Sequence, residues 1–377
     1  MMSGDNIKID TKRLHDDLVK LRELYSKSPR KTDLRKGLIF TDVLNDISEV
    51  LGGSKVNIYE VIPNIDEVIR MNNKKVNKET FQFYYFIGEE LFDIYNMLFP
   101  YINLSCDEEL KIVPFRDTLR KYSLNDFKDI LFDFFSKFGP YEESVSRKYF
   151  EEKRIEFGYP DRENSGGFVA SNINDLGYIY TKYRELNTRS LSVMAHEIGH
   201  AIDFKKYYNT QGMRNANVCD VYMEIPSAFF ETAFSKYLKE NKIDEFGGYM
   251  AFQNILALIY VRLLDIHKYF KLREKYNHIT LNTVGDVVFP NGQKVELRKA
   301  VLYAVAYYVA VFLNDKVDIY DEKFMRRLYS ASMMRERLDL KDVVEILGLD
   351  SEEFKNPLNL KDAMKENNDE IIRRFRL

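Results

Sequence analysis

The stretch His196-Glu197-Ile198-Gly199-His200 is the most informative part of this sequence. Four residues is just over one turn of an α-helix, so the two imidazoles project from the same face, one above the other. Two nitrogen ligands can then meet one tetrahedral zinc ion, with Glu197 beside them to take a proton from metal-bound water. We therefore predict one catalytic zinc ion per chain, with His196 and His200 as ligands and Glu197 as general base.

The residues around this stretch predict a buried helix. The chain has only five histidines, so a chance match to this spacing is rare. The alternative is a surface helix with two solvent-facing histidines, and the apolar neighbours disfavour it. These neighbours are Leu191, Met194, Ala195, Ile198 and Ile202.

A catalytic zinc site of this type needs a third protein ligand and leaves its fourth position to water. Glu224 and Glu231 are the best candidates, because they lie one heptad apart and hence on nearly the same face of a helix. One of them can bind the metal while the other accepts a hydrogen bond from a ligating imidazole. The apolar neighbours Phe229-Phe230 and Ala233-Phe234 disfavour the alternative of two ordinary surface glutamates.

Hydrophobic periodicity predicts a mainly α fold with one small β-sheet. An N-terminal helical segment is expected over residues 1–78 and a catalytic domain over 79–377. Helices are predicted at 11–28, at 79–99, from a cap at Ser123 to Gly139, from Pro140 to about Lys153, and from an N-cap at Thr188 through Glu231 and beyond. Strands are predicted at 155–157, 167–170 and 178–181, with a hairpin at 286–295 turning at Asn291-Gly292.

Composition excludes several classes of partner. The net charge is −3 with Lys and Arg spread along the chain, so we predict no nucleic-acid partner. The longest apolar run, Ala300 to Leu313, suits a buried helix better than a membrane span. No signal-peptide pattern is present, and Cys106 and Cys219 make no disulfide framework. We expect a cytoplasmic protein without a membrane partner.

Together these motifs resemble the thimet oligopeptidase/oligoendopeptidase F family of zinc metallopeptidases, and more closely its oligoendopeptidase F branch. The family pattern is H-E-x-x-H, then E-x-x-S and a further Glu. Here it is matched by residues 196–200, by Glu224-Ile225-Pro226-Ser227 and by Glu231. The resemblance implies a helical zincin-type peptidase with a small β-sheet lining the active-site cleft. It also implies Glu224 as third zinc ligand, Glu231 as supporting carboxylate, and a chain shortened on the N-terminal side.

The resemblance extends upstream to the expected substrate-binding strand. Tyr149 to Glu156 and then Ser165 to Phe168 are similar to the family's stretch in which Gly-Gly-Phe follows a strand. Gly177 to Thr181 occupies the place of the family's edge strand, and an exposed edge can hold an extended peptide by main-chain hydrogen bonds. We expect Gly167, Tyr178 and Tyr180 to bind substrate.

Downstream, Tyr303 to Tyr308 resembles the tyrosine-rich helix that the family places across the cleft. The resemblance implies that Tyr303 and Tyr307 are catalytic, because a phenol there can donate a hydrogen bond to the developing oxyanion. The alternative is that both are plain core aromatics. The family usually has a histidine a few residues earlier, and Arg298 or His278 could replace it here.

The function predicted from these residues is a zinc-dependent metalloendopeptidase that hydrolyses peptide bonds in short peptides. Two alternatives stay open. One is a zinc peptidase with a specific protein substrate, of a toxin-like or regulatory kind, which would not cleave generic short peptides. The other is a non-catalytic scaffold that binds peptides.

Overall fold

A computed structural model describes residues 120–158, 167–172, 175–211, 224–276, 280–281, 287–333, 340–349 and 360–375. The helices predicted at 11–28 and 79–99, and the predicted boundary between residues 78 and 79, lie outside this set. The described elements are α1 (Leu124–Ser136), α2 (Pro140–Glu151), β1 (Ile155–Phe157), β2 (Gly167–Asn172), β3 (Asp175–Thr181), α3 (Thr188–Gln211), α4 (Ile225–Glu240), α5 (Glu245–Lys275), β4 (Thr280–Leu281), β5 (Val287–Val288), β6 (Lys294–Val295), α6 (Leu297–Lys316), α7 (Glu322–Met333), α8 (Leu340–Ile346) and α9 (Leu360–Phe375). The prediction of a mainly α fold with small sheets is confirmed.

Helices α3 to α6 pack against one another at the centre of the described structure. α4 contacts α3, α5 and α6, and α5 also contacts α6. The apolar run from Ala300 to Leu313 lies in α6, and apart from the half-buried Leu302 and Tyr303 every residue of it is buried. The predicted buried helix is therefore confirmed, and it forms one wall of the core.

Helix α5 is long and apolar enough, from Glu245 to Leu272, to cross a bilayer by length and composition. It packs against α4, α6 and α9. Side chains buried along it are Ile255, Leu256, Ile259, Leu263 and Ile266. Core helices pass the same test of length and composition, and α5 contacts three other helices of the described structure.

The start of α3 differs from its prediction. Thr188 is the first helical residue rather than the N-cap, and the side chain of Asn187 accepts a hydrogen bond from the Ser190 backbone N–H at 3.1 Å. The Thr188 hydroxyl instead donates to Asp244, which also accepts from the Tyr122 hydroxyl at 2.9 Å. The Thr188 side chain, which the local sequence pattern assigned to helix capping, therefore hydrogen-bonds to Asp244, a residue distant in the sequence.

The predicted cap at Ser123 is confirmed, because its hydroxyl oxygen accepts a hydrogen bond from the backbone N–H of Asp126 at 3.1 Å. The predicted hairpin is also present: β5 pairs antiparallel with β6, and Gly292 in its turn has φ +79°. The described structure adds β4 on the other side of β5, giving the order β4-β5-β6.

The first sheet has the order β1-β3-β2, with β1 parallel to β3. The prediction that residues 177–181 form an edge strand is wrong, because this segment belongs to the central strand β3. Ile155 in β1 is registered opposite Ile179, so β1 occupies one side of β3 while β2 lies on the other. Within the described sheet, only β1 and β2 have a side without a neighbouring strand.

Candidate metal centre

Helices α3 and α4 approach very closely at Gly199. A Cβ atom at this position would lie 2.9 Å from the Cα of Ser227 and 3.0 Å from Cδ2 of Phe230. Only a residue without a side chain permits this approach. The Ser227 hydroxyl in turn donates to the Glu224 carbonyl oxygen at 2.9 Å and so fixes the start of α4. The close approach brings Glu224 to the two histidines of α3.

Three ligand atoms meet between these helices. Oε2 of Glu224 lies 3.6 Å from Nε2 of His196 and 3.4 Å from Nε2 of His200. The ligand atoms of the three residues all lie within 4.8 Å of one another, and no other such group occurs among the residues that the structure describes. The two imidazoles face Glu224 from one side of α3, as their spacing predicted.

The two separations that involve Glu224 match those expected around a tetrahedral zinc ion. Ligand atoms that are each about 2.0–2.1 Å from a tetrahedral centre lie about 3.3–3.4 Å from one another. Oε2 of Glu224 is buried and has no hydrogen-bond partner in the described chain. A buried carboxylate oxygen in that state is costly unless a cation binds it. The ligand set of two nitrogens and one oxygen is one that zinc prefers.

The charges of the site also favour a cation. Burial would raise the pKa of Glu224, but the positive charge of His200 and His196 outweighs burial and lowers it. Burial would lower the pKa of His196, but its interactions with Glu224 and Glu231 outweigh burial and raise it well above its usual value. Glu224 and Glu231 therefore stabilise positive charge at this point of the core.

Glu197 lies beside the ligands and is almost fully buried. Burial raises the pKa of its carboxyl group to about 7. Its Oε2 atom has no hydrogen-bond partner within the described ranges. A carboxylate with a free oxygen and a pKa near neutrality can both accept and release a proton at physiological pH.

Glu231 lies two turns beyond Glu224 and interacts with the opposite nitrogen of His196. Its Oε2 is 3.1 Å from His196 Nδ1 and also accepts a hydrogen bond from the Tyr307 hydroxyl. Its Oε1 accepts a hydrogen bond from the Ser192 hydroxyl at 3.1 Å. The Tyr307 hydroxyl oxygen is itself 3.1 Å from His196 Nδ1. His196, Ser192 and Tyr307 therefore surround the Glu231 carboxylate.

Tyr303 and Tyr307 lie one turn apart on α6, with ring centroids 6.1 Å apart. The Tyr303 side chain is half-buried and its hydroxyl makes no hydrogen bond to the described residues. The negative charge of Glu224 is the largest cause that raises the pKa of Tyr303, followed by burial and by Glu197. The Tyr303 phenol therefore lies near the carboxylates of the centre.

The three predicted substrate-binding residues lie in the first sheet. Gly167 begins β2, while Tyr178 and Tyr180 belong to the central strand β3. Tyr180 is 1% exposed, so its side chain is closed to a substrate in this conformation.

Of the two candidates to replace the family's missing histidine, His278 lies outside the described residues, and Arg298 lies in the first turn of α6, where only its backbone is described. A different cation, Arg262 of α5, acts on Tyr303 and opposes the rise in its pKa. Arg262 contacts Glu296, the residue before α6, at 3.8 Å.

Two contributors to the site were missed from the sequence. Ser192 precedes His196 by one helical turn, a spacing that places both on one face of α3. Gly199 lies inside the zinc motif itself, and a glycine in the middle of a helix is a signal of close packing. Neither signal identifies the residue that Ser192 or Gly199 contacts, because those residues lie on a different helix, α4.

No family model matches the sequence, and no curated protein matches it. Solved structures that are similar to the chain include a candidate peptidase from Chlamydophila abortus, with 13% identity over 96% of this chain and a TM-score of 0.45. The chain spans 62% of that protein's length. A candidate oligoendopeptidase F from Bacillus anthracis str. Ames is 12% identical over 98% of this chain and 76% of its own, with a TM-score of 0.49. PZ peptidase A with an inhibitor is 11% identical over 98% of this chain and 78% of its own, with a TM-score of 0.42.

Proposed function

We propose that this protein is a zinc-dependent peptidase. One observation carries the proposal: His196, His200 and Glu224 present three ligand atoms within 4.8 Å of one another, and the buried carboxylate of Glu197 lies beside them. A structural zinc site is closed by four protein ligands, whereas a hydrolytic site keeps one position open. Three ligands next to a carboxylate with a free oxygen correspond to the hydrolytic type.

A zinc ion held by these three side chains would polarise the scissile carbonyl group and make water more acidic. Glu197 is then the general base. Its unpartnered Oε2 accepts the proton of the attacking water and passes it to the nitrogen of the leaving amine. The buried position of Glu197 raises its carboxyl pKa and so favours uptake of the proton.

Tyr303 is the proposed donor to the oxyanion. Its hydroxyl has no partner in the described chain, and its ring lies 6.1 Å from the ring of Tyr307, whose hydroxyl contacts Glu231 of the centre. A donor that meets the carbonyl oxygen only as negative charge develops stabilises the transition state more than the bound substrate.

We further propose that the substrates are short peptides, as the sequence resemblance implies, and that the protein acts in the cytoplasm, as its composition indicates. Strand β2 is the better candidate for binding substrate backbone, because β3 has neighbours on both sides. Gly167 at the start of β2 is therefore retained as a substrate-binding residue, and Tyr180 is not.

The test is removal and return of the metal. The full chain is treated with a chelator, dialysed, and assayed against generic short peptides before and after one equivalent of zinc. The proposal expects hydrolysis to disappear with the metal and to return with zinc. If the zinc-loaded protein binds these peptides without cleaving them, it is a peptide-binding scaffold instead. If it cleaves none of them but cleaves one protein, the specific-protease alternative is favoured.

A further inference from the structure

The hydrogen-bond donors around Glu231 occupy both of its oxygen atoms. Ser192 donates to Oε1, and Tyr307 donates to Oε2. Both donors are buried side chains, and they reach the carboxylate from α3 and α6 respectively. Glu231, on α4, is therefore held from two directions by neighbours that belong to different helices.

This arrangement determines where the proton of His196 lies. Nδ1 of His196 lies 3.1 Å from Glu231 Oε2 and 3.1 Å from the Tyr307 hydroxyl oxygen, and because Tyr307 donates its proton to Glu231, both neighbours can accept a hydrogen bond from an Nδ1–H group. In the neutral ring the proton is then on Nδ1, and the lone pair is on Nε2, which faces Glu224. A ligating imidazole needs that tautomer.

The two histidines differ in this respect. Nδ1 of His200 is buried and has no hydrogen-bond partner in the part of the chain that the structure describes. The His200 ring instead stacks on Phe204, with centroids 5.7 Å apart. The hydrogen bonds that fix the tautomer and the ring orientation thus converge on one of the two nitrogen ligands, His196.

Tyr307 is also placed differently from Tyr303. Its ring is 4% exposed and lies parallel to the His196 ring, with an interplanar angle of 11°. Its only hydroxyl proton is directed to Glu231. It has no second proton to donate to an oxyanion, whereas the hydroxyl of Tyr303 has no partner among the described residues.

We propose that Ser192 and Tyr307 are positioning residues that clamp Glu231 against His196, and that of the two tyrosines only Tyr303 touches the substrate. This inference rests on the proposed zinc peptidase function and assigns separate roles within it. Tyr307 acts through Glu231 on the orientation of a metal ligand. Its removal should affect metal affinity first and turnover only as a consequence.

The test compares Tyr307→Phe with Tyr303→Phe, which is the same chemical change one turn away on the same helix. The full chain of each variant is titrated with zinc in competition with a chromogenic chelator, and kcat and KM are measured at saturating zinc. Tyr307→Phe should raise the zinc dissociation constant about tenfold or more, as loss of such supporting hydrogen bonds does. Tyr303→Phe should leave that constant unchanged and lower kcat about a hundredfold.

Ser192→Ala removes the other donor to Glu231 and keeps the proposal testable if Tyr307→Phe does not fold. It too should weaken zinc binding. Combining Tyr307→Phe with Glu231→Ala gives the decisive cycle, because alanine removes the acceptor: if the tyrosine acts through Glu231, Tyr307→Phe should have almost no further effect on zinc affinity in that background. If Tyr307→Phe weakens zinc binding as much in the Glu231→Ala background as in the wild type, the clamp is refuted. Wild-type zinc affinity in Tyr307→Phe with a reduced kcat would instead make Tyr307 a substrate contact. If the wild-type chain binds no zinc, the proposed function itself is wrong, and that result is distinct from the others.

Discussion

Gly199 controls the distance between the helices that carry the metal ligands, so Gly199→Ala should disturb the site from outside it. The added Cβ would lie 2.9 Å from the Cα of Ser227, while ordinary contact begins at 3.4 Å. The difference, 3.4 − 2.9 = 0.5 Å, is the separation between the helices that would restore ordinary contact at this point. A backbone atom cannot rotate away, so the helix itself must move.

That displacement is large for a metal site. Metal–ligand distances tolerate changes of about 0.2 Å. A shift of Ser227 would also move Glu224, because the Ser227 hydroxyl donates a hydrogen bond to the Glu224 carbonyl oxygen. We expect zinc affinity to fall by about tenfold or more, which corresponds to about 1.4 kcal/mol. Overpacking costs about 1–3 kcal/mol of stability, and the better helix propensity of alanine offsets up to about 1 kcal/mol of it.

Gly248→Ala is the matched control. The added Cβ would lie 2.8 Å from the Ser235 carbonyl oxygen. This substitution therefore overpacks the contact between α4 and α5 and leaves the contact between α3 and α4 unchanged. Both variants should lose a few degrees in melting temperature, but only Gly199→Ala should lose zinc affinity. Chelator competition and thermal unfolding measure the two quantities. Equal zinc affinity in Gly199→Ala and wild type would refute the link between helix spacing and the site.

Further predictions concern the ligands, a cap and a buried lysine. Glu224→Ala should weaken zinc binding more than Glu231→Ala, because the first change removes a ligand atom and the second only a hydrogen-bond acceptor. If zinc titration shows the larger loss of affinity in Glu231→Ala, the roles of the two glutamates are exchanged. Asp244→Ala removes the N-cap of α5 and the acceptor of the Thr188 hydroxyl, so denaturant titration should show a loss of about 1–3 kcal/mol. Burial lowers the pKa of Lys239 to about 8, while an unfolded lysine keeps its proton to about 10.4. The unfolded state therefore binds more protons between these values, and stability should rise with pH from about 8 to 10. Lys239→Met should remove that rise, and an unchanged pH slope would contradict the assignment.

The features that could be predicted from the sequence are those fixed by neighbours within about one turn. The spacing of His196 and His200 determines that both face one side of a helix. The Ser123 cap and the turn at Asn291-Gly292 are likewise complete within a few residues. The place of Glu224 came from the resemblance, since spacing alone left Glu224 and Glu231 interchangeable.

The features that could not be predicted depend on contacts between distant segments. Thr188 is drawn away from capping by Asp244, which lies 56 residues further along the chain. Strand β3 is central because β1 pairs with it in parallel, and nothing within β3 specifies that neighbour. The Tyr307 hydroxyl meets Glu231 only because α4 and α6 pack together. The local sequence pattern marks such side chains as candidates for a contact but does not identify the residues that they contact.

The central claim is that metal binding and proton transfer are carried by different residues of one zinc site. Glu197→Gln tests it most directly, because the amide keeps the shape of the side chain but cannot serve as a base. Zinc content and hydrolysis of a generic peptide mixture are measured on the same preparations of wild type and variant. We expect about one zinc ion per chain in both proteins, and hydrolysis lower by several orders of magnitude in the variant. Absence of zinc from the wild-type chain after reconstitution, or hydrolysis by Glu197→Gln at the wild-type rate, would contradict the account.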